Sequence, residues 1–275
     1  MLAVVAHRRH GTNALLAAQG AALLSPAAAT RTLESGDVAF GRLDVRRDLA
    51  GVESGLPALR RLAERGVLVL NPADALEAMH DKLLTGMRLR HVNLPHPRTA
   101  YLPATASASG VELPVVVKPR FGSWGRHVHL CETRSQLRRC LRALRDEGWF
   151  RLQGAVVQEL VPPVGRDLRV LVAGGEVAGA VERIAAPGEW RTNVALGGER
   201  RPAVPDARAR ALAVAAAASV GADLVGVDLL PVPGGWVVLE LNGAVDFTPE
   251  YALDERDVFA RVLDALRRRS LPRAA

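Results

Sequence analysis

The 275-residue chain is 49% hydrophobic and 24% charged, with a formal net charge of +7 at pH 7, which suits one large or two to three small globular domains and excludes wholesale disorder. Its two cysteines, Cys131 and Cys140, are too few for a disulfide framework and form no C-x-x-C motif, so reduced thiols in a cytoplasmic setting are expected. No apolar run is long enough to span a bilayer, and the opening MLAVVAHRRHG has too short an apolar stretch for a secretory signal, so no membrane association is expected.

In chain order, the apolar run Leu2–Ala6 predicts a strand, Thr12–Leu24 a helix and Val38–Phe40 a second strand. Leu56, Leu59 and Leu62 recur at helical spacing and Gly66 ends that helix. The run 67–70, Val-Leu-Val-Leu, reads as a buried strand closed by Asn71-Pro72. This alternation predicts a small α/β layer on a parallel sheet. Pro72 opens a helix over 73–79, and Asp81 caps another over 82–91. Leu94-Pro95-His96-Pro97 then breaks the pattern. A strand over 115–117 stops at Lys118-Pro119, and Phe121–Arg126 is a glycine-bearing loop. A helix is expected over 135–147 and a strand over 156–161, stopped by Pro162-Pro163. Strands 168–172 and 177–182 flank Gly174-Gly175, a hairpin signal. Strands 224–230 and 236–241 flank Pro231–Gly235, an Ala-rich helix spans 205–220, and a final helix spans 255–268. The closing Arg267-Arg268-Arg269 reads as a solvated helix end favoured by the helix dipole rather than a nucleic-acid arm. Neither G-x-x-x-x-G-K-[ST] nor G-x-G-x-x-G occurs, so both common nucleotide fingerprints are missing.

The chemistry concentrates in a few places. Of 36 basic residues only Lys82 and Lys118 are lysines. Coding bias explains an arginine-rich chain, but a site that needs a compact ammonium would resist that drift. Lys118 ends a strand just before the loop Gly122-Ser123-Trp124-Gly125, where a point charge and close backbone N–H groups suit phosphate. An ordinary surface turn carrying a lysine is the competing reading. Gln158-Glu159-Leu160-Val161 runs a strand into two prolines, leaving main-chain groups free to read a purine edge. Asp167 and Arg169 share one face of the next strand, as a binding pair or as a surface ion pair worth little. Trp190-Arg191-Thr192-Asn193 with Gly197-Gly198 forms a polar loop that could clamp a phosphoryl group or simply be flexible surface. In the last hairpin Glu240 and Asn242 point to one face, and a turn near Pro233-Gly234 sets Asp228 opposite Glu240. Two carboxylates and an amide, without His or Cys nearby, suit Mg²⁺ or Mn²⁺; two strand-end acids meeting solvent are the alternative.

The ordered set from Asp81-Lys82 through Val117-Lys118-Pro119, Gly122–Gly125, Gln158-Glu159, Asp167-Leu168-Arg169, Arg191-Thr192-Asn193, Gly197-Gly198 and Asp228 to Glu240-Leu241-Asn242 resembles the ATP-grasp superfamily, most closely its RimK-type glutamate ligases and its LysX-type ligases acting on an amino-group carrier protein. The resemblance implies an α/β (α+β) ATP-grasp fold in three parts: an N-terminal Rossmann-like α/β domain (1–80), a central lid (81–157) and a C-terminal antiparallel-sheet domain (158–275). It implies ATP and Mg²⁺ or Mn²⁺ as cofactors. Lys82, Lys118, Gln158 and Arg169 would belong to the nucleotide site. The loop Gly122, Ser123, Trp124, Gly125 would cover the phosphates; Glu159, Leu160 and Val161 would line the adenine site, and Asp167 the ribose. Asp228, Glu240 and Asn242 would hold metal, and Arg191 and Asn193 would join Lys118 as catalytic residues at the transferring phosphoryl group. The implied activity is an ATP-dependent carboxylate–amine ligase working through an acyl phosphate. Its expected partners are a carboxylate acceptor (glutamate, a glutamate-tailed molecule or an acidic carrier protein or peptide) and an amino-acid amine donor, in a homo-oligomer, dimer or tetramer. The pair Asp246-Phe247 looks closer to the carrier-protein branch, and a basic enzyme suits an acidic carrier. An Arg-rich nucleic-acid-binding protein, or an ATP-grasp nucleotide-binding module without ligase activity, are the alternatives. Sparse aromatics (4%) and dispersed charge weigh against the first.

Overall fold

The computed structural model describes residues 1–270; residues 271–275 of the expected third segment lie outside the described residues. Three sheets organise the chain. The first is parallel, in the order β2-β1-β3-β4, built from β1 (Leu2–Val5), β2 (Ala22–Leu24), β3 (Val38–Gly41) and β4 (Leu68–Leu70). Its central strands β1 and β3 are almost wholly buried, as expected of a parallel sheet covered on both faces. Helices α1 (Thr12–Ala18), α2 (Pro26–Thr32) and α3 (Leu56–Glu64) connect these strands.

Here the structure corrects the sequence reading. The helix expected over 12–24 stops at Ala18, because Gly20 adopts a positive φ of 92° and the chain then pairs alongside β1. A further helix follows, capped by the Ser25 side chain and opened by Pro26, a start signal the composition held.

Helices α4 (Ala73–His80) and α5 (Lys82–His91) lead out of the first sheet. The Asp81 side chain accepts from the Leu83 and Leu84 amides and so caps α5. The second sheet is antiparallel, in the order β5-β8-β6-β7: β5 (Thr99–Leu102), β6 (Val115–Pro119), β7 (His129–Cys131) and β8 (Ala155–Glu159). Its outer face packs on α6 (Arg134–Leu144) and α7 (Gly148–Gln153) in a separate core that includes Val115, Val117, Leu137, Leu141 and Phe150. The helix expected over 135–147 is α6, which ends at Leu144, and the short α7 beyond it was not expected.

The third sheet is antiparallel, in the order β11-β10-β9-β12-β13: β9 (Arg166–Ala173), β10 (Glu176–Ile184), β11 (Glu199–Pro202), β12 (Leu224–Val232) and β13 (Gly235–Asn242). Helices α8 (Ala207–Ser219) and α9 (Val258–Ser270) cover it. Two shared cores weld it to the first sheet. One joins Ala3, Val5 and Ala39 to Val170, Val225 and Ala213; the other joins Val4 and Phe40 to Leu171, Val262 and Leu266. The short strands β5, β7 and β11 were not anticipated. β11, Glu-Arg-Arg-Pro, has no strand propensity and exists because it pairs with β10 at a sheet edge, where a proline is tolerated.

Candidate active site

A cleft opens between the inner face of the second sheet and one face of the third. It is lined by Lys82, Lys118, Gly122, Ser123, Trp124, Gly125, Gln158, Glu159, Leu160, Val161, Asp167, Arg191, Asn193, Asp228 and Glu240. Arg169 and Asn242 do not line it. They line an adjoining cavity that shares Ser123, Trp124, Arg183, Asn193 and Glu240 with the cleft.

Strand alternation builds the upper wall. Val116 and Lys118 are two apart on β6 and face the cleft, while Val115 and Val117 face the helices behind. Lys118 is only 5% exposed. Its Nζ donates to Gln158 Oε1 at 2.8 Å, and Gln158 Nε2 donates to Thr99 Oγ1 at 2.8 Å. Gln158, expected at the nucleotide, thus holds the lysine from behind. Burial brings the Lys118 ammonium down from its ordinary 10.5 to about 8; Glu240 and Asp228 oppose the shift and Lys82 adds to it. Strand β8 ends at Glu159, so Leu160 and Val161 run past the sheet beside the cleft.

The glycine loop is tied at both ends. Lys82 Nζ donates to the Gly122 carbonyl at 2.7 Å, and Arg191 Nη1 donates to the Gly125 carbonyl at 2.9 Å. Trp124 and Gly125 take positive φ angles of 60° and 71°. A Cβ on Gly125 would stand 2.8 Å from Asn193 Oδ1, so only glycine lets the two loops meet this closely. The Arg8 and Arg126 guanidinium groups lie 5.2 and 5.9 Å from the Trp124 ring. Arg120 pairs with Asp81, and Lys82 N donates to the Arg120 carbonyl, fixing the loop to the start of α5.

One face of the third sheet forms the floor, and cross-strand register assembles it. Arg200, Arg183 and Asp167 lie opposite one another across β11, β10 and β9. Arg169, Asp228 and Glu240 do so across β9, β12 and β13, and Asn242 is two residues beyond Glu240. Asp167 is buried with Arg183 Nε at 2.7 Å and Thr192 Oγ1 at 2.6 Å. Asp228 is 1% exposed, and it accepts from Arg169 at 2.6 and 2.7 Å and from Arg183 at 2.8 Å. Burial pushes the Asp228 carboxyl up, but the two guanidinium groups outweigh it and hold the group ionised, below the usual carboxylate range. Arg169, expected at the nucleotide, is instead engaged with Asp228 and turned to the adjoining cavity.

The sequence reading missed Arg183, the cation at the centre of this cluster. A hairpin turning at Gly174-Gly175 without irregularity would oppose Asp167 to Glu182. A bulge between Val177 and Gly179 shifts the register by one residue and brings in Arg183 instead. A Cβ on Gly179 would meet the Tyr251 carbonyl at 2.5 Å, so the bulged strand passes that carbonyl only as glycine. In the last hairpin Asp228 does stand opposite Glu240, as expected, with a bulge after Asp228 in place of the regular pairing to Leu239.

Among the described residues no cluster of three or more His, Cys, Asp or Glu is placed to hold a metal ion. The oxygen donors present are Asp228, Glu240 and Asn242. Asp228 has three N–H donors on roughly four lone-pair positions, leaving room for one more contact. Glu240 has Lys82 Nζ at 3.4 Å from Oε2. The set fits a hard, oxygen-preferring cation with Glu240 as its most available ligand.

The adjoining cavity adds Asp44, His80, Arg200, Ala244, Val245 and Asp246. Arg8 reaches Asp44 at 2.9 Å and Asp246 at 3.8 Å. Arg42, buried at the end of β3, donates to the Val245 carbonyl at 2.8 Å, so the first sheet shapes this wall. The pair Asp246-Phe247 splits: Asp246 is exposed at the cavity, while Phe247 stacks on Phe259 in the core at 4.8 Å.

Residues 92–265 match the family of RimK-like ATP-grasp domains. A glutamate–LysW ligase, ArgX, of Sulfurisphaera tokodaii is 34% identical over 68% of this chain and 68% of its own length. A probable alpha-L-glutamate ligase of Serratia proteamaculans is 30% identical over 90% of this chain and 84% of its own. Among solved structures, the ATP-grasp ligase PsnB in complex with a minimal precursor, Mg and ADP superposes with a TM-score of 0.65, covering 97% of each chain at 19% identity.

Proposed function

The chain belongs to the RimK-like ATP-grasp family of carboxylate–amine ligases, and from that premise we propose that it joins an amino acid to the carboxylate of glutamate, of a glutamate-tailed molecule or of an acidic carrier protein. The observation that carries this reading is the meeting of two chemistries in one place. A cleft with a buried lysine and a glycine loop adjoins a second cavity that bears both arginines and carboxylates, and the two share Arg183, Asn193 and Glu240.

ATP-grasp ligases use ATP and a divalent metal. In this chain Glu240, Asp228 and Asn242 would hold the metal, which when bound neutralises phosphate charge. Lys82 and Lys118 supply point charges to the phosphates, and Gly122–Gly125 closes over them through backbone N–H groups. The apolar cleft residues Val116, Leu230 and Leu239 sandwich the base, beside the free main chain at Leu160 and Val161. Arg169 and Arg183 keep Asp228 ionised; Arg183 and Thr192 hold Asp167 at the cleft wall near the ribose. A substrate carboxylate oxygen attacks the γ-phosphorus, releasing ADP and giving an acyl phosphate. Arg191 and Asn193 stand at that junction, where fixed positive charge and amide dipoles stabilise the transferring group. The amine then attacks the acyl carbon and phosphate leaves. The glycine loop, tied by Lys82 and Arg191, keeps water from the intermediate.

The test is an ADP-release assay with ATP and Mg²⁺ over single amino acids, amino-acid pairs and acidic peptides. Release that needs both a carboxylate and an amine, with an amide product by mass, is expected. ATP binding with no release for any pair would instead favour a nucleotide-binding module without ligase activity.

A further inference from the structure

We propose that Arg200 is a specificity residue that holds a non-reacting carboxylate of an acidic amino-acid substrate in the second cavity. Among the described residues lining that cavity, the other arginines are neutralised: Arg169 by Asp228, and Arg183 by Asp167 and Asp228. Arg200 has no ion pair and no side-chain hydrogen bond among the described residues. Its sequence neighbours Glu199 and Arg201 alternate to the other face of β11 and pair with each other at 3.0 Å.

The register makes this arrangement unfavourable unless an anion arrives. Arg200 lies directly opposite Arg183, and like charges opposed across strands destabilise a sheet. Arg183 already has two carboxylates; Arg200, half-buried, has none. A ligand carboxylate supplies the missing partner and is the group a planar guanidinium binds in bidentate fashion. Asn242 lines the same cavity, and its buried Nδ2 has no hydrogen-bond partner among the described residues.

The carboxylates on the other side of the cavity, Asp44, Asp246 and Glu240, already face Arg8, Arg42 and Lys82, so they leave Arg200 without a carboxylate of its own. On the ligase reading the ligand here is an amino acid, and a carboxylate besides the reacting one makes it an acidic one. Arg200 is absent from the nucleotide cleft, so the bound carboxylate is distinct from the one that takes the phosphoryl group. The proposal deepens the ligase reading by naming what the second cavity selects.

The test is equilibrium titration of L-glutamate, and separately of L-glutamine, into the full chain saturated with ADP and Mg²⁺, using wild type, Arg200→Gln and Arg200→Lys. Wild type should prefer glutamate by about 10- to 100-fold, the range for a lost charged hydrogen bond. Arg200→Gln should abolish the preference, and Arg200→Lys should restore part of it. No glutamate binding to wild type, equal affinity for the two probes, or an unchanged preference in Arg200→Gln overturns the proposal. Titration with ADP alone separates the two readings: selective glutamate binding without ADP binding sinks the ligase assignment and leaves Arg200's role standing.

Discussion

Replacing Lys118 by methionine removes an ammonium that the fold holds at a free-energy cost. The drop from 10.5 to about 8 corresponds to about 3 kcal/mol at 1.36 kcal/mol per unit. The substitution also strips Gln158 Oε1 of its donor, a loss of about 1–3 kcal/mol. The balance at pH 7, without nucleotide, is a variant between equally stable and about 2 kcal/mol more stable than wild type. The pH dependence has a definite sign. Between pH 8 and 10.5 the unfolded chain binds a proton at Lys118 that the folded chain has lost, so wild-type stability rises with pH across that window. The penalty is fully present below pH 8, and the advantage of Lys118→Met shrinks toward pH 10.5. ATP at 100 times its Kd should stabilise wild type by about 2.7 kcal/mol and the variant far less. Urea denaturation with and without ATP, at several pH values, measures all three effects. A variant destabilised by more than about 2 kcal/mol without nucleotide, or one keeping the whole ATP effect, refutes the reasoning. Lys118→Arg, run beside it, keeps the charge but forces a larger planar group against Gln158; near-normal ATP affinity there would show that the ammonium is not specifically required.

Glu240→Ala should leave the chain folded while ATP turnover falls to background; unchanged kinetics in an ADP-release assay would remove the metal-site assignment. Arg183→Met leaves Asp167 with Thr192 and Asp228 with Arg169, and should cost about 3–5 kcal/mol in urea denaturation as a broken buried charge cluster. A loss below about 1 kcal/mol would mean that Arg183 is not what neutralises the pair. Gly226→Ala places a Cβ 2.6 Å from Val245 Cγ2 and should cost about 1–3 kcal/mol by overpacking. Most of that loss should return in the double variant with Val245→Ala, and failure of the rescue would locate the strain elsewhere.

The local signals were legible where short-range chemistry decides. Two lysines in an arginine-rich chain, a strand stopped by Lys118-Pro119, a glycine loop and the Asp81 cap could all be read directly, and each of these residues lines or adjoins the cleft. Ser25-Pro26 is an equally readable start signal, and it opens α2. What could not be read is how far the first hairpin slips. One extra residue turns every following side chain to the opposite face, and nothing in the local composition announces the bulge near Val177.

Sequence therefore determined the inventory: which charges exist, which strand carries each, and the family-like order in which they follow one another. Tertiary structure decided the pairing. The first bulge brings Arg183 opposite Asp167, and the unforeseen edge strand β11 places Arg200 beside them, whereas Asp228 opposite Glu240 is the facing expected from the turn at Pro233-Gly234. The reason is physical: a strand's side-chain period is two, so the face a charge occupies depends on a register fixed by distant packing, such as the Tyr251 carbonyl against Gly179, and not on the residues beside it.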